Sequence, residues 1–139
     1  METGRIAPAS WTLTAIVRLL PAVPKPIVQR LSSRYIAGAT LDDAVRVVKR
    51  LNAEGKLATV DVLGEEVATP DEARAIAGQY HDVLARIDEE RLDANVSVKL
   101  TGLGLEVEHD LCRENLEAVV ADAAARGSFV RIDMEDSST

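Results

Sequence analysis

The sequence holds a single cysteine, Cys112, so no disulfide can form within the chain. A lone thiol among helical residues reads as a small buried apolar side chain, and Cys112 receives no catalytic role. Basic residues are also in short supply, with 16 Lys and Arg against 23 Asp and Glu and a net charge of −7. Neutralising a phosphate backbone takes clustered cations, which argues against nucleic acid as a partner. Nor does any stretch approach the roughly 20 uninterrupted apolar residues that a bilayer-spanning helix requires. The first charges, Glu2 and Arg5, precede no proper signal segment, so the reading expects a cytosolic chain.

What is present is ordinary globular chemistry, 47% apolar and 28% charged over 139 residues, enough for one core. Residues 1–39 hold four of the five prolines, Pro8, Pro21, Pro24 and Pro26. These split two apolar runs, Trp11 to Leu20 and Ile27 to Ile36, into two short packing helices of an N-terminal helical segment.

From Thr40 to the last residue, 139, the pattern is regular. Thr40 can cap a helix with Leu41, Ala44, Val45, Val48 and Leu51 at helical spacing, and Gly55 stops it. A strand, LATVDVLG, follows. Thr69, Pro70 and Glu72 then combine an N-cap, a proline at the first helical position and a capping-box glutamate. The helix they open lines up Ala73, Ile76, Ala77, Tyr80, Val83, Leu84 and Ile87 on one face, all read as packing. VSVKL is a second strand. Asp110 is expected to cap a third helix with Cys112, Leu116, Val119, Val120 and Ala123 inward, Gly127 ends it, and FVRIDME is a third strand. Strands alternating with helices predict an α/β class with parallel pairing.

Alternate residues on a strand point to opposite faces. One face of these strands carries Ala58, Val60, Val62, Val96, Val98, Leu100, Val130, Ile132 and Met134. The other carries Thr59, Asp61, Ser97, Lys99, Arg131 and Asp133. A doubly wound open sheet is covered by helices on both sides and reads apolar on both. The one-sided pattern instead suits a barrel, whose inside can hold charge near the carboxyl ends of the strands, where Asp61, Lys99 and Asp133 fall. Two carboxylates and two cations on adjacent strands serve equally as a structural ionic layer or as a substrate site, and the pattern leaves both open.

Other signals are weak. Gly102-Leu103-Gly104 has two of the three glycines of a dinucleotide loop and reads as a flexible turn. His81 and His109 have no partner at ligand spacing, so no metal is expected and both are read as solvated.

Three ordered segments, TVDVLGE at 59–65, VSVKLTGLG at 96–104 and RIDMEDS at 131–137, with the lead-in RYIAG at 34–38, resemble the first three strands of bacterial monofunctional proline dehydrogenases. The resemblance covers about residues 34–139 and implies a partial (β/α)₈ barrel, with N-terminal helices and the first three βα units, not closed. It implies oxidation of L-proline to Δ1-pyrroline-5-carboxylate, with a hydride passed to FAD and electrons passed on to a quinone. Peripheral contact with the inner membrane face goes with that acceptor. Carried over residue by residue, it gives Lys99 and Asp133 a place at the substrate, with catalytic roles. It also points to Glu65 as the partner of a substrate-binding arginine.

The family's tandem arginines, its substrate-facing tyrosines and most of its flavin contacts come from later strands and its last helix. A closed barrel takes about 250 residues. The expectation is therefore a truncated and inactive fragment of a proline dehydrogenase, with cofactor contacts unassigned. The alternative is a non-catalytic truncated or degenerate barrel piece that at most binds. Another barrel enzyme using the same charged layer on a different substrate is a third reading. Gly102 stands where the family usually has Ala.

Overall fold

The computed structural model describes residue 38 and residues 40–64 and 67–133. The two helices expected in residues 1–39, together with Glu65 and Met134, lie outside the described residues.

The first described helix, α1 (Leu41–Ala53), starts where Thr40 is extended and its hydroxyl accepts a hydrogen bond from the Asp43 amide at 3.2 Å. Asp42 and Asp43 in its first turn and Arg50 in its last oppose the helix dipole. Gly55 then adopts φ +72°, a left-handed turn, and the chain reverses into β1 (Ala58–Asp61). Asn52 fastens the end of α1 to the neighbouring strand's entry: its Nδ2 donates to the Asp93 carbonyl at 3.1 Å and its Oδ1 accepts from the Asp93 amide at 2.9 Å.

The capping box expected at Thr69 is present. The Thr69 hydroxyl accepts from the Glu72 amide, and the Glu72 carboxylate accepts from the Thr69 amide at 3.0 Å, opening α2 (Pro70–Glu89). The strand β2 (Ala94–Lys99) and the helix α3 (His109–Ala125) follow, then β3 (Val130–Asp133). Asp110 does not cap α3. The turn before the helix already bonds the Glu108 amide to the Gly104 carbonyl at 2.9 Å and runs straight into α3, so Glu108 is the cap residue without a side-chain bond. Asp110 sits inside the first turn and pairs with Arg113.

The described strands form one parallel sheet in the order β1-β2-β3. Val96 aligns with Val60 and Val130, and Lys99 with Asp133. The faces divide as the alternation predicts along β1 and β2, but on β3 Ile132, expected on the packed face, is exposed and takes no part in the core. Val96 and Val98, fully buried, meet Tyr80, Leu84, Leu103 and Val119 in a core packed against α2 and α3, with Val60 and Val130 at its margin. Truncating Leu84 to Ala would leave a cavity costing about 2 to 5 kcal/mol. Val120 is not inward. It lies one step off the stripe formed by Cys112, Leu116, Val119 and Ala123, and it is exposed. The class is α/β with an open, three-stranded parallel sheet whose helices pack on one face.

Candidate active site

The polar face is graded along the strands. Near the entry of the sheet the Thr59 hydroxyl donates to Asn95 Oδ1 at 3.0 Å, joining β1 to β2. One step further, Asp61, Ser97 and Arg131 align across the three strands. Ser97 is 3% exposed, and its hydroxyl has no hydrogen-bond partner among the described residues. A buried hydroxyl left unmatched costs about 1 to 3 kcal/mol. At the carboxyl end Lys99 faces Asp133 across the ladder. Strand neighbours lie about 4.8 Å apart, which sets cation and carboxylate side by side on one face. Lys99 is half-buried while Arg131 and Asp133 are exposed, so the charges line an open surface of this sheet.

Tyr80 enters the site from the helix layer. Its ring is buried in the core with 1% of the residue exposed, yet its hydroxyl passes the end of β1. There it donates to Asp61 Oδ1 at 2.9 Å and accepts from the Val62 amide at 3.4 Å. Burial, and then the negative charge of Asp61, push the phenol well above its ordinary value, with Asp133 adding to the effect. The hydroxyl therefore keeps its proton and acts as a fixed donor. Reading Tyr80 as packing describes its ring and misses its hydroxyl. The available signal was a polar handle on an otherwise apolar stripe, since a buried tyrosine hydroxyl usually finds a partner.

The loops above the strands are packed tightly. A Cβ on Gly102 would stand 3.0 Å from the Gly64 carbonyl oxygen, and one on Gly104, at φ +100°, would stand 3.0 Å from Ala73 Cβ. Leu103 between them is fully buried. The Gly102-Leu103-Gly104 segment is thus a turn, as expected, and a close-packed one. The described residues contain no group of three or more His, Cys, Asp or Glu able to hold a metal ion. His109 is exposed, but His81 is more than solvated: its Nδ1 lies 2.7 Å from Asp122 Oδ2 across the α2–α3 contact. Cys112 is buried, with its thiol 3.5 Å from the Leu100 carbonyl oxygen, and burial raises it above the usual thiol range. No described helix is long and apolar enough to cross a membrane.

The family model described as proline dehydrogenase matches residues 44–139. Proline dehydrogenase 1 of Bacillus subtilis subsp. natto is 41% identical over 105 residues, which span 76% of this chain and 35% of that protein. Proline dehydrogenase of Deinococcus radiodurans is 28% identical over 109 residues, again 76% of this chain and 35% of the relative. The chain therefore spans about a third of the length of these relatives. Among solved structures, proline utilization A from Bdellovibrio bacteriovorus, inactivated by N-propargylglycine, superposes with a TM-score of 0.70 at 22% identity, covering 80% of this chain and 14% of that one. At that identity the likeness is one of fold.

Proposed function

The chain belongs to the proline dehydrogenase family, and from that premise we propose that it supplies the first three strand–helix units of a (β/α)₈ barrel that oxidises L-proline to Δ1-pyrroline-5-carboxylate. The observation that carries the reading is the one-sided sheet, apolar toward its helices and charged on the other face, with Lys99 opposite Asp133 at the carboxyl ends. Barrel enzymes build their sites at that end of the strands.

The substrate dictates what the site must offer. Proline carries a carboxylate and a secondary amine, so it needs charge of both signs and a site that excludes water. Oxidation removes a hydride from the ring carbon next to nitrogen and a proton from nitrogen, leaving the carbon–nitrogen double bond of the product. FAD, when bound, supplies the hydride acceptor. The unmatched Ser97 hydroxyl and the Lys99 cation suit a polar, partly anionic group over this face, and Lys99 would hold it. Lys99 orients negative charge. Asp133 balances Lys99 and anchors a cationic partner from the rest of the barrel. Glu65, in the segment after Gly64, pairs with a substrate-gripping arginine and helps close the site. A quinone takes the electrons onward, at the inner face of a membrane to which the enzyme binds peripherally.

Closing such a barrel takes about 250 residues, so the proposed activity belongs to a longer polypeptide than residues 1–139. Dye reduction with added FAD tests it directly. Residues 1–139 are expected to stay silent with proline. The same chain extended to the length of its relatives should reduce dye in proportion to proline, and no proline-dependent reduction by that extended chain would sink the proposal.

A further inference from the structure

A buried tyrosine on a core-facing helix ordinarily satisfies its hydroxyl with a nearby carbonyl or with water. Tyr80 does something else: it spends its hydroxyl on the carboxylate at the end of β1. The ring is locked in the core, so the donor has little freedom, and a hydroxyl bonded to a carboxylate is a charge-assisted bond of above-average strength. The second contact, from the Val62 amide to the phenol oxygen, ties the donor to the backbone one residue past the strand. The carboxylate of Asp61 is thus held from behind by the helix layer. Its register partner is Ser97, whose own partner is Arg131, and the Lys99–Asp133 pair stands one pleat pair further along.

Resting on the proposed function, we propose that Tyr80 is a positioning residue: it fixes the Asp61 carboxylate at the carboxyl end of β1, so that Asp61 sets the electrostatics of the Lys99 and Asp133 pair toward substrate. Tyr80 of α2 bonds Asp61 directly, and the charged groups on the same face of the sheet are Lys99 from β2 and Arg131 and Asp133 from β3. Asp61 has a further interaction besides the phenol, so losing the phenol loosens the carboxylate without abandoning it. Loss of one hydrogen bond allows a fall in kcat/KM of about two- to tenfold.

Two measurements test this separately. In residues 1–139 carrying Tyr35→Phe, Tyr80 is the only tyrosine, and its ring carbon bearing the hydroxyl can be followed by carbon-13 NMR. Asp61→Ala should shift that resonance, and an unchanged resonance would overturn the pairing. In the chain extended to the length of its relatives, Tyr80→Phe should lower kcat/KM about two- to tenfold. The acidic limb of its pH profile should also move upward, because a carboxylate that loses a donor is more readily protonated. Flavin content should hold. A Tyr80→Phe enzyme that loses flavin and thermal stability while keeping the parent's pH profile would show a purely structural role and overturn the proposal. An extended parent chain with no proline turnover would take down the proposed function and this role with it, while the NMR shift in residues 1–139 would still report whether the pairing itself exists.

Discussion

His81 Nδ1 lies 2.7 Å from Asp122 Oδ2, and this contact joins the outer faces of α2 and α3. Asp122 also accepts from Arg126 Nε at 2.7 Å, and Arg126 reaches Asp88 on α2 at 3.4 Å. The bond from His81, and after it the bond and charge of Arg126, hold the Asp122 carboxyl below the usual carboxylate range. A depressed carboxylate stabilises the fold at any pH above its unfolded value, near 3.9, and that contribution fades as pH falls through the lower folded value.

The corresponding prediction is a loss of stability on acidification below about pH 4 that Asp122→Asn reduces. Urea unfolding of residues 1–139 at pH 7 and pH 3.5 checks it. The parent chain should lose more stability than the variant between the two pH values. Equal losses in both would show that Asp122 contributes nothing to acid sensitivity.

Gly104 gives a second test. With φ at +100° and a would-be Cβ 3.0 Å from Ala73 Cβ, Gly104→Ala faces both backbone strain and crowding against the first turn of α2. Strain of this kind costs about 1 to 3 kcal/mol. Thermal unfolding of residues 1–139 should show Tm lower by several degrees, since about 1 kcal/mol moves Tm by roughly 4 °C in domains of this size. Gly55→Ala is the control, because its φ is also positive but nothing lies within 4 Å of its Cβ. A smaller penalty is expected there. If the two glycines cost the same, crowding against Ala73 plays no part.

These cases mark what a sequence can carry. The capping box at Thr69, the Gly55 and Gly127 helix ends and the split of Val96 and Val98 from Ser97 and Lys99 are local, set by spacing along the chain, and all are found. The hydroxyl of Tyr80 on Asp61, the Gly64–Gly102 approach and the His81–Asp122 bond join residues 19, 38 and 41 positions apart. A period of 3.6 states which face a side chain occupies, but not how far its polar tip reaches. The Asp110 cap failed for a related reason. The turn from Gly104 to Glu108 settles where α3 begins before any side chain can compete for the role.

Cys112 should behave as a protected thiol. It is buried against the Leu100 carbonyl, and burial raises it, so little thiolate forms near neutral pH. Alkylation by iodoacetamide at pH 8 should run at least about tenfold slower in native residues 1–139 than in urea, because reaction waits on local opening. Mass spectrometry over time reads the rate. Comparable rates in the two conditions would show that the thiol is not shielded by its burial against the Leu100 carbonyl just past β2.

Lys99 and Asp133 carry the last prediction. Lys99 and Asp133 are register partners with Asp133 exposed and Lys99 half-buried, and an ion pair between groups so placed would add about 1 kcal/mol or less to stability. Lys99→Ala and Asp133→Ala should therefore leave unfolding of residues 1–139 nearly unchanged. In the chain extended to the length of its relatives, each should cut kcat/KM for proline by at least about tenfold, equivalent to about 1.4 kcal/mol of transition-state stabilisation. Arg131→Ala is the comparison, since it aligns with Ser97 one step deeper than the Lys99–Asp133 pair and should affect turnover less. A structural ionic layer makes the opposite pattern, with unfolding and flavin loss moving together with activity. Unchanged proline kinetics in both Lys99→Ala and Asp133→Ala would remove these two residues from the site while leaving the fold as described.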